Sequence, residues 1–170
     1  NEAVGICKYS DIAVFSFHPV KIITTAEGSL ITTNSKFISK QIAMLRSHGI
    51  TREPSQMGQA SDGPWFYEQI ELGFNYRMTD IQAALGTSQH KRLDEFISSR
   101  NFLAERYSEK LSEVPFTIHT ISDKAYSAYH LFVVNLQDEN HVSARQTIFN
   151  YMRESGVGVN VHYIPVHTHP

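Results

Sequence analysis

Ser16 and Lys21 lie five positions apart in the stretch VFSFHPVK, with Pro19 between them. A lysine is almost never fully buried, so the default reading of Lys21 is a solvated surface amine. Its neighbours argue otherwise. The run Asp11–Phe17 is short and apolar, as a buried strand would be. Ser16 falls near its carboxyl end, the edge at which α/β sheets bind ligands. Pro19 fixes the chain direction just ahead of Lys21. A desolvated lysine gives up its proton more readily and can form a Schiff base with an aldehyde. Pyridoxal phosphate requires such an amine, together with hydroxyl and amide donors for its phosphate. Ser16, across the bend, offers one hydroxyl.

Other candidates are weaker. His162, His167 and His169 invite a metal reading, since neutral imidazole is a common ligand. Their i, i+5, i+7 spacing fits no zinc motif, and neither cysteine nor carboxylate partners lie nearby, so no metal is expected. His18 reads as a packed or cofactor-adjacent histidine rather than a general base. Trp65-Phe66-Tyr67 could stack on a nucleobase, but core packing or loop anchoring is the commoner role for such a cluster.

The elements that must position these residues follow from periodicity and capping. After the first strand, Leu30–Thr33 is a second strand candidate, entered through the turn Glu27-Gly28-Ser29. Asn34 or Ser35 offers an N-cap for a helix carrying Ile38, Ile42 and Leu45 on one face and ending near His48-Gly49. Residues 50–65 hold two prolines and two glycines and show little periodicity, which predicts a loop or lid. Thr79-Asp80-Ile81-Gln82 has the capping-box form. From it Ile81, Leu85, Leu93, Phe96, Leu103, Tyr107 and Leu111 keep helical spacing, over a length that predicts either a linking helix or a break near Ser98-Ser99. Pro115 stops it. Tyr129–Leu136 predicts a strand, and Ser143-Ala144-Arg145-Gln146 a second capping box for a helix ending at Gly156. Val157, Val159, Val161 and Tyr163 alternate with Gly158, Asn160 and His162, which predicts a last strand with one polar face. The order predicts mixed α/β structure, with a second, smaller domain after Pro115.

Composition sets the bounds. A chain of 170 residues, 41% hydrophobic and 19% charged, is globular in composition and long enough for a single core. A formal net charge of -2 gives no reason to expect nucleic acid or an anionic membrane as partner. Cys7 is the single cysteine, which excludes an internal disulfide framework and fits a reducing, cytoplasmic compartment. No apolar run approaches the roughly 18–20 residues that span a bilayer. The chain opens at NEAVGICKYSD, without methionine, and stops at VHYIPVHTHP in a segment that reads as ordered, so a piece cut at both ends is expected.

Together, SDIAVFSFHPVKIITTAEGS, ELGFNYRMTDIQAALG and VHYIPVH resemble the DegT/DnrJ/EryC1/StrS sugar aminotransferases, over nearly the whole chain and in the same order. The resemblance implies a fragment of a fold-type-I pyridoxal-phosphate transferase, aspartate aminotransferase-like. Residues 1–113 would be the later part of the large domain with its linking helix, and 114–170 an incomplete small domain. It implies amino transfer from an amino acid, glutamate by analogy, to a nucleotide-linked 4-keto-6-deoxy sugar. Within the family it points to the enzymes of pseudaminic acid synthesis. Lys21 matches the lysine that bonds the cofactor and moves the proton, and Ser16 the serine that holds its phosphate. Asn75 matches an asparagine that reaches the cofactor of a neighbouring subunit, so a homodimer with shared sites is implied. Asn160, Val161, His162 and Tyr163 match the sugar-nucleotide side of the cleft, with His162 the preferred contact and Arg77 a further one.

Two departures stand out. Ser29 occupies the position of a family glycine, and a residue there would be strained if positive φ were required. The family's aspartate for the pyridinium nitrogen, and its phosphate-binding glycine loop, would lie upstream of Asn1. Rival readings are therefore a catalytically silent piece and a same-fold sugar dehydratase. In the dehydratase the lysine is replaced by histidine, and Lys21 argues against that chemistry.

Overall fold

The computed structural model describes residues 2–136 and 141–170. Strands β1 (Ala13–Ser16) and β2 (Ser29–Thr32) pair antiparallel, in the register Ala13↔Thr32 through Ser16↔Ser29. Residues 17–28, which carry Lys21, form the excursion between them. Its neck is closed by backbone bonds from Phe17 N to Gly28 O (2.9 Å) and from Thr25 N to Phe17 O (3.0 Å). Thr24 Oγ1 also donates to Phe17 O (2.8 Å) and accepts from Ala26 N (2.9 Å). Thr25, 1% exposed, is the most buried side chain described, and its hydroxyl donates to Glu27 O.

Helix α1 (Lys36–Leu45) starts at Ser35, whose Oγ accepts from Ile38 N, as the cap signal predicted. It ends at Arg46, and the chain turns through His48 and Gly49, both at positive φ. The predicted loop at 50–65 is tied down. Strand β3 (Ile50–Thr51) pairs with β4 (Glu68–Gln69), a short 3-10 turn spans Pro54–Gln56, and the Glu68 carboxylate accepts from Gly58 N (2.7 Å) and Gln59 N (2.9 Å). Trp65 is 70% exposed, so this ring anchors no core.

Thr79 completes the predicted capping box and opens α2 (Asp80–His90). The long helical stretch breaks at Lys91–Arg92 rather than near Ser98-Ser99, which lie inside α3 (Leu93–Lys110). The cause is local. Asp94 and Glu95 are acidic residues suited to a helix start. Arg92 also folds over this turn, with its Nε on Glu95 (3.2 Å) and its guanidinium over the Phe96 ring (4.7 Å).

Strand β5 (Phe116–Ile118), absent from the sequence reading, pairs antiparallel with β6 (Val134–Leu136). The strand predicted from Tyr129 is therefore short. Residues 129–133 are irregular, with Tyr129 at φ 44°. Helix α4 (His141–Glu154) begins ahead of the predicted capping box, and the Ser143 side chain lies outside the described residues. It closes as expected at Gly156, with φ 79° and a bond from Val157 N to Met152 O (2.8 Å). The predicted strand at 157–163 does not form: these residues carry no regular secondary structure and join no described ladder. Period-two alternation marks a chain ready to pair, and a ladder needs a neighbour that no described segment supplies.

The expectation of a single real core fails as well. Ala104 is the one buried hydrophobic residue described. The accessible surface is 13866 Å², against roughly 8,500 Å² for a compact monomer of this mass. The predicted stripe is largely bare: Ile81, Leu85, Leu103 and Tyr107 are all exposed. Caps, turns and short ladders hold these elements locally.

Strain at Ser29 is also not found. Ser29 opens β2 in extended backbone, and positive φ falls on Ala26 (65°) and Gly28 (151°) instead. A Cβ at Gly28 would stand 2.5 Å from Thr25 Oγ1 and 2.6 Å from Met78 Cε. Gly28→Ala is thus expected to cost about 1–3 kcal/mol, read as a lower urea midpoint. An unchanged midpoint would show that the excursion does not depend on this turn.

Candidate active site

Lys21 sits in a turn closed by its own N–H on His18 O (2.9 Å) and is half-buried, not a free surface amine. The turn stands on α2, because Thr24 N donates to Gln89 Oε1 (3.1 Å) and Gln82 Nε2 donates to Glu27 O (3.0 Å). Gly86 leaves room for this approach: a Cβ there would meet Thr25 Cγ2 at 2.6 Å. Ser16 ends β1 on the same side, exposed, with its Oγ accepting a long bond from His18 N (3.5 Å). His18 is half-exposed, and its Nδ1 accepts from Val20 N at 3.4 Å. Ser16 and Lys21 thus lie on the β1 end and the turn that follows it, as the sequence reading placed them.

The sequence reading missed the partner of Lys21. His130 Nε2 lies 3.4 Å from Lys21 Nζ, across 109 residues of sequence. α3 holds His130 there. Arg100 donates to Tyr129 O (2.9 Å) and, at 3.5 Å, to His130 O, while Asn101 Nδ2 donates to Ser127 O (3.0 Å). Tyr107, Phe132 and Tyr129 pack ring on ring behind the segment. The one available signal was a histidine inside the otherwise apolar run YHLFVV.

Electrostatics keep His130 neutral. Burial comes first in lowering its pKa from 6.5, followed by the charges of Lys21, Arg100 and His162. A lysine ammonium only donates, so a bond from it to Nε2 puts the imidazole proton on Nδ1. That Nδ1 is buried and has no partner. An orphan polar atom of this kind costs about 1–3 kcal/mol, and such atoms call for an unseen partner.

The remaining predicted residues fall in two other places. Residues 74–76 are laced to the end of α1: Phe74 N donates to Leu45 O (2.7 Å), Tyr76 N to Arg46 O (2.9 Å), and Asn75 bridges Ser47. Arg77 and Arg46 line a cleft of about 550 Å³ with Tyr76, Ser29 and Glu27. Among the described residues no hydrogen bond or ion pair joins Asn75 or Arg77 to Ser16 or Lys21. Asn160, Val161, His162 and Tyr163 lie in exposed chain, where the His162 and Tyr163 rings stack at 3.7 Å. His162 is the member of this group that acts on His130. No cluster of three or more metal-ligating side chains occurs among the described residues, and none of their helices is long and apolar enough to cross a membrane.

A lowered pKa means that the folded state resists protonation of His130. The contribution of His130 to stability is then full above pH 6.5 and is lost as pH falls below it. An NMR titration of the His130 ring should give a midpoint below 6.5. A midpoint at or above that value would contradict the packing described.

Comparison with known proteins agrees with this geometry. Residues 2–170 match the DegT/DnrJ/EryC1/StrS aminotransferase family. The chain is 35% identical over 168 residues to a UDP-4-amino-4,6-dideoxy-N-acetyl-beta-L-altrosamine transaminase of Campylobacter jejuni, covering 98% of this chain and 42% of that protein. It superposes on Helicobacter pylori PseC, an aminotransferase of pseudaminic acid biosynthesis, with a TM-score of 0.86 at 29% identity, covering 99% of this chain and 42% of the other. The PLP-form of a Streptococcus pneumoniae sugar aminotransferase homologue aligns at a TM-score of 0.79 and 25% identity, over 93% and 39%. The chain thus spans about two-fifths of the relatives it matches. The architecture is part of the fold-type-I transferase fold, and pyridoxal phosphate is the cofactor these proteins use. The residues present fit that group: a half-buried lysine at Lys21, an exposed hydroxyl at Ser16 and an unpartnered buried nitrogen on His130. With matched motifs, matched fold and a site of fitting chemistry, the chain belongs to the DegT/DnrJ/EryC1/StrS aminotransferase family.

Proposed function

We propose that this chain carries the lysine-bearing part of a pyridoxal-phosphate-dependent nucleotide-sugar aminotransferase. In this reading an amino acid, glutamate, gives its amino group to a nucleotide-linked 4-keto-6-deoxy sugar, on the way to a cell-surface or flagellin glycan of the pseudaminic acid type. The observation that carries it is the half-buried Lys21 amine, set one turn beyond Ser16 and met by His130. The names of the Campylobacter and Helicobacter relatives support the choice of substrate.

When bound, pyridoxal phosphate supplies the electron sink that makes the bond to the amino-bearing carbon's proton breakable. The rest falls to the chain. Ser16 Oγ donates to the phosphate, and the free amine of Lys21 takes the proton from the reacting carbon and returns it on the far side of the transfer. Arg77 and Arg46 offer two guanidiniums to the phosphates of a nucleotide, where planar paired donors suit an anion. His162 and Tyr163, with Asn160 and Val161, border the sugar side. The match of Asn75 to an asparagine that reaches a neighbouring subunit's cofactor supports a homodimer with shared sites. We place the reaction in the cytoplasm. Lys21 favours amino transfer over dehydration in this fold.

The test is to mix the purified protein with pyridoxal phosphate, reduce with borohydride and map the modified lysine by mass spectrometry. Stoichiometric labelling at Lys21, abolished in Lys21→Ala, is expected. Ser16→Ala should weaken cofactor binding about tenfold, the loss of one good hydrogen bond. Labelling scattered over all lysines would mean a catalytically silent chain.

A further inference from the structure

The Lys21–His130 contact joins two parts of the chain that share no secondary structure. Each side is fixed independently of the other. Lys21 is fixed by its turn on α2, through Gln82 and Gln89. His130 is fixed by α3, through Arg100 and Asn101. The imidazole is therefore not a floating neighbour that happens to lie near an amine. It is a rigid acceptor held out to a flexible four-carbon side chain.

We propose that His130 is the positioning residue for Lys21, its Nε2 taking a hydrogen bond from Nζ and so presenting this one amine, among all the lysines, to the cofactor aldehyde. The proposal rests on the aminotransferase reading above. Three features beyond the distance support it. The contact is made by Nε2, the end of the ring that projects farthest from the backbone. The groups acting on His130 are Lys21, Arg100 and His162, all cationic or able to become so, and none of them is a carboxylate that would hold a proton on the ring. An unprotonated Nε2 is thereby available as acceptor at neutral pH. Finally, Nδ1 is buried and unpartnered, so the ring has no competing bond that would rotate it away from Lys21.

The same logic fixes a pH dependence. Once His130 gains a proton, Nε2 becomes a donor and can no longer accept from Lys21. Positioning is thus full at neutral pH and is lost only as pH falls through the lowered pKa of His130, below 6.5. The quantity to follow is the labelling of Lys21 by pyridoxal phosphate and borohydride relative to Lys36 and Lys40, exposed lysines on α1. The ratio cancels the general effect of pH on amine reactivity.

Two variants separate positioning from mere packing. His130→Gln keeps an acceptor near the Nε2 position, whereas His130→Met keeps length and bulk but offers none. With folding checked by circular dichroism, His130→Gln is expected to hold the Lys21 ratio within about threefold of the parent. His130→Met should lower it about tenfold, the loss of one hydrogen bond. The fall in the parent's ratio as pH drops through the lowered pKa of His130 should vanish in both. Equal ratios in the two variants, or a parent ratio that does not change with pH, would overturn the proposal. If the parent itself shows no preference for Lys21, the aminotransferase reading fails instead, and the two failures are told apart.

Discussion

The closure of residues 17–28 at its neck is the constraint on which the site depends. Two backbone bonds and one threonine hydroxyl converge on Phe17 and Gly28, with Thr25 sealed beneath them. Without this clasp the segment would be an ordinary surface loop, its lysine free to sample solvent. With it, the carboxyl end of β1 and the start of β2 are locked in one register, and Lys21 is delivered one turn beyond Ser16. The clasp then rests on α2 by way of two glutamine side chains.

What was legible in the sequence divides by range. Signals that act within four residues read correctly: Ser35 as N-cap, Thr79 with Gln82 as a reciprocal box, Gly156 as a helix stop. Each works through a bond between near neighbours, so the local sequence contains the whole cause. The helix break was misplaced because two serines in mid-helix looked weaker than they are. The decisive features were Arg92 folding onto Glu95 and Phe96, and acidic residues at a fresh helix start. Strands fared worst. Residues 157–163 have the right alternation and no ladder, while Phe116–Ile118 has a ladder and little alternation to announce it. Pairing is a property of two segments, and one segment cannot state it.

The site shows the same division. Lys21 and Ser16 can be nominated from the sequence because they are close in it and their types suit one chemistry, and the family resemblance proposes their roles. His130 and Arg100 were missed because their roles exist only once α3 has carried one segment to the other. Their charge pattern has its own meaning. Lys21 and Arg100 make the surroundings of the neutral His130 ring locally positive. Such a field favours an anionic guest, as a phosphorylated cofactor or a nucleotide sugar would be.

The separation of 109 residues between Lys21 and His130 orders events in time as well as in space. A ribosome adding roughly 5–20 residues per second delivers the histidine some 5–20 s after the lysine. During that interval the clasp, its caps and its turns can form, since all of them are local, but the amine has no imidazole to meet. The pair is thus a late checkpoint in the life of the polypeptide. A lysine held only by its turn is still unguided, and it gains its partner when the distant helix has already folded.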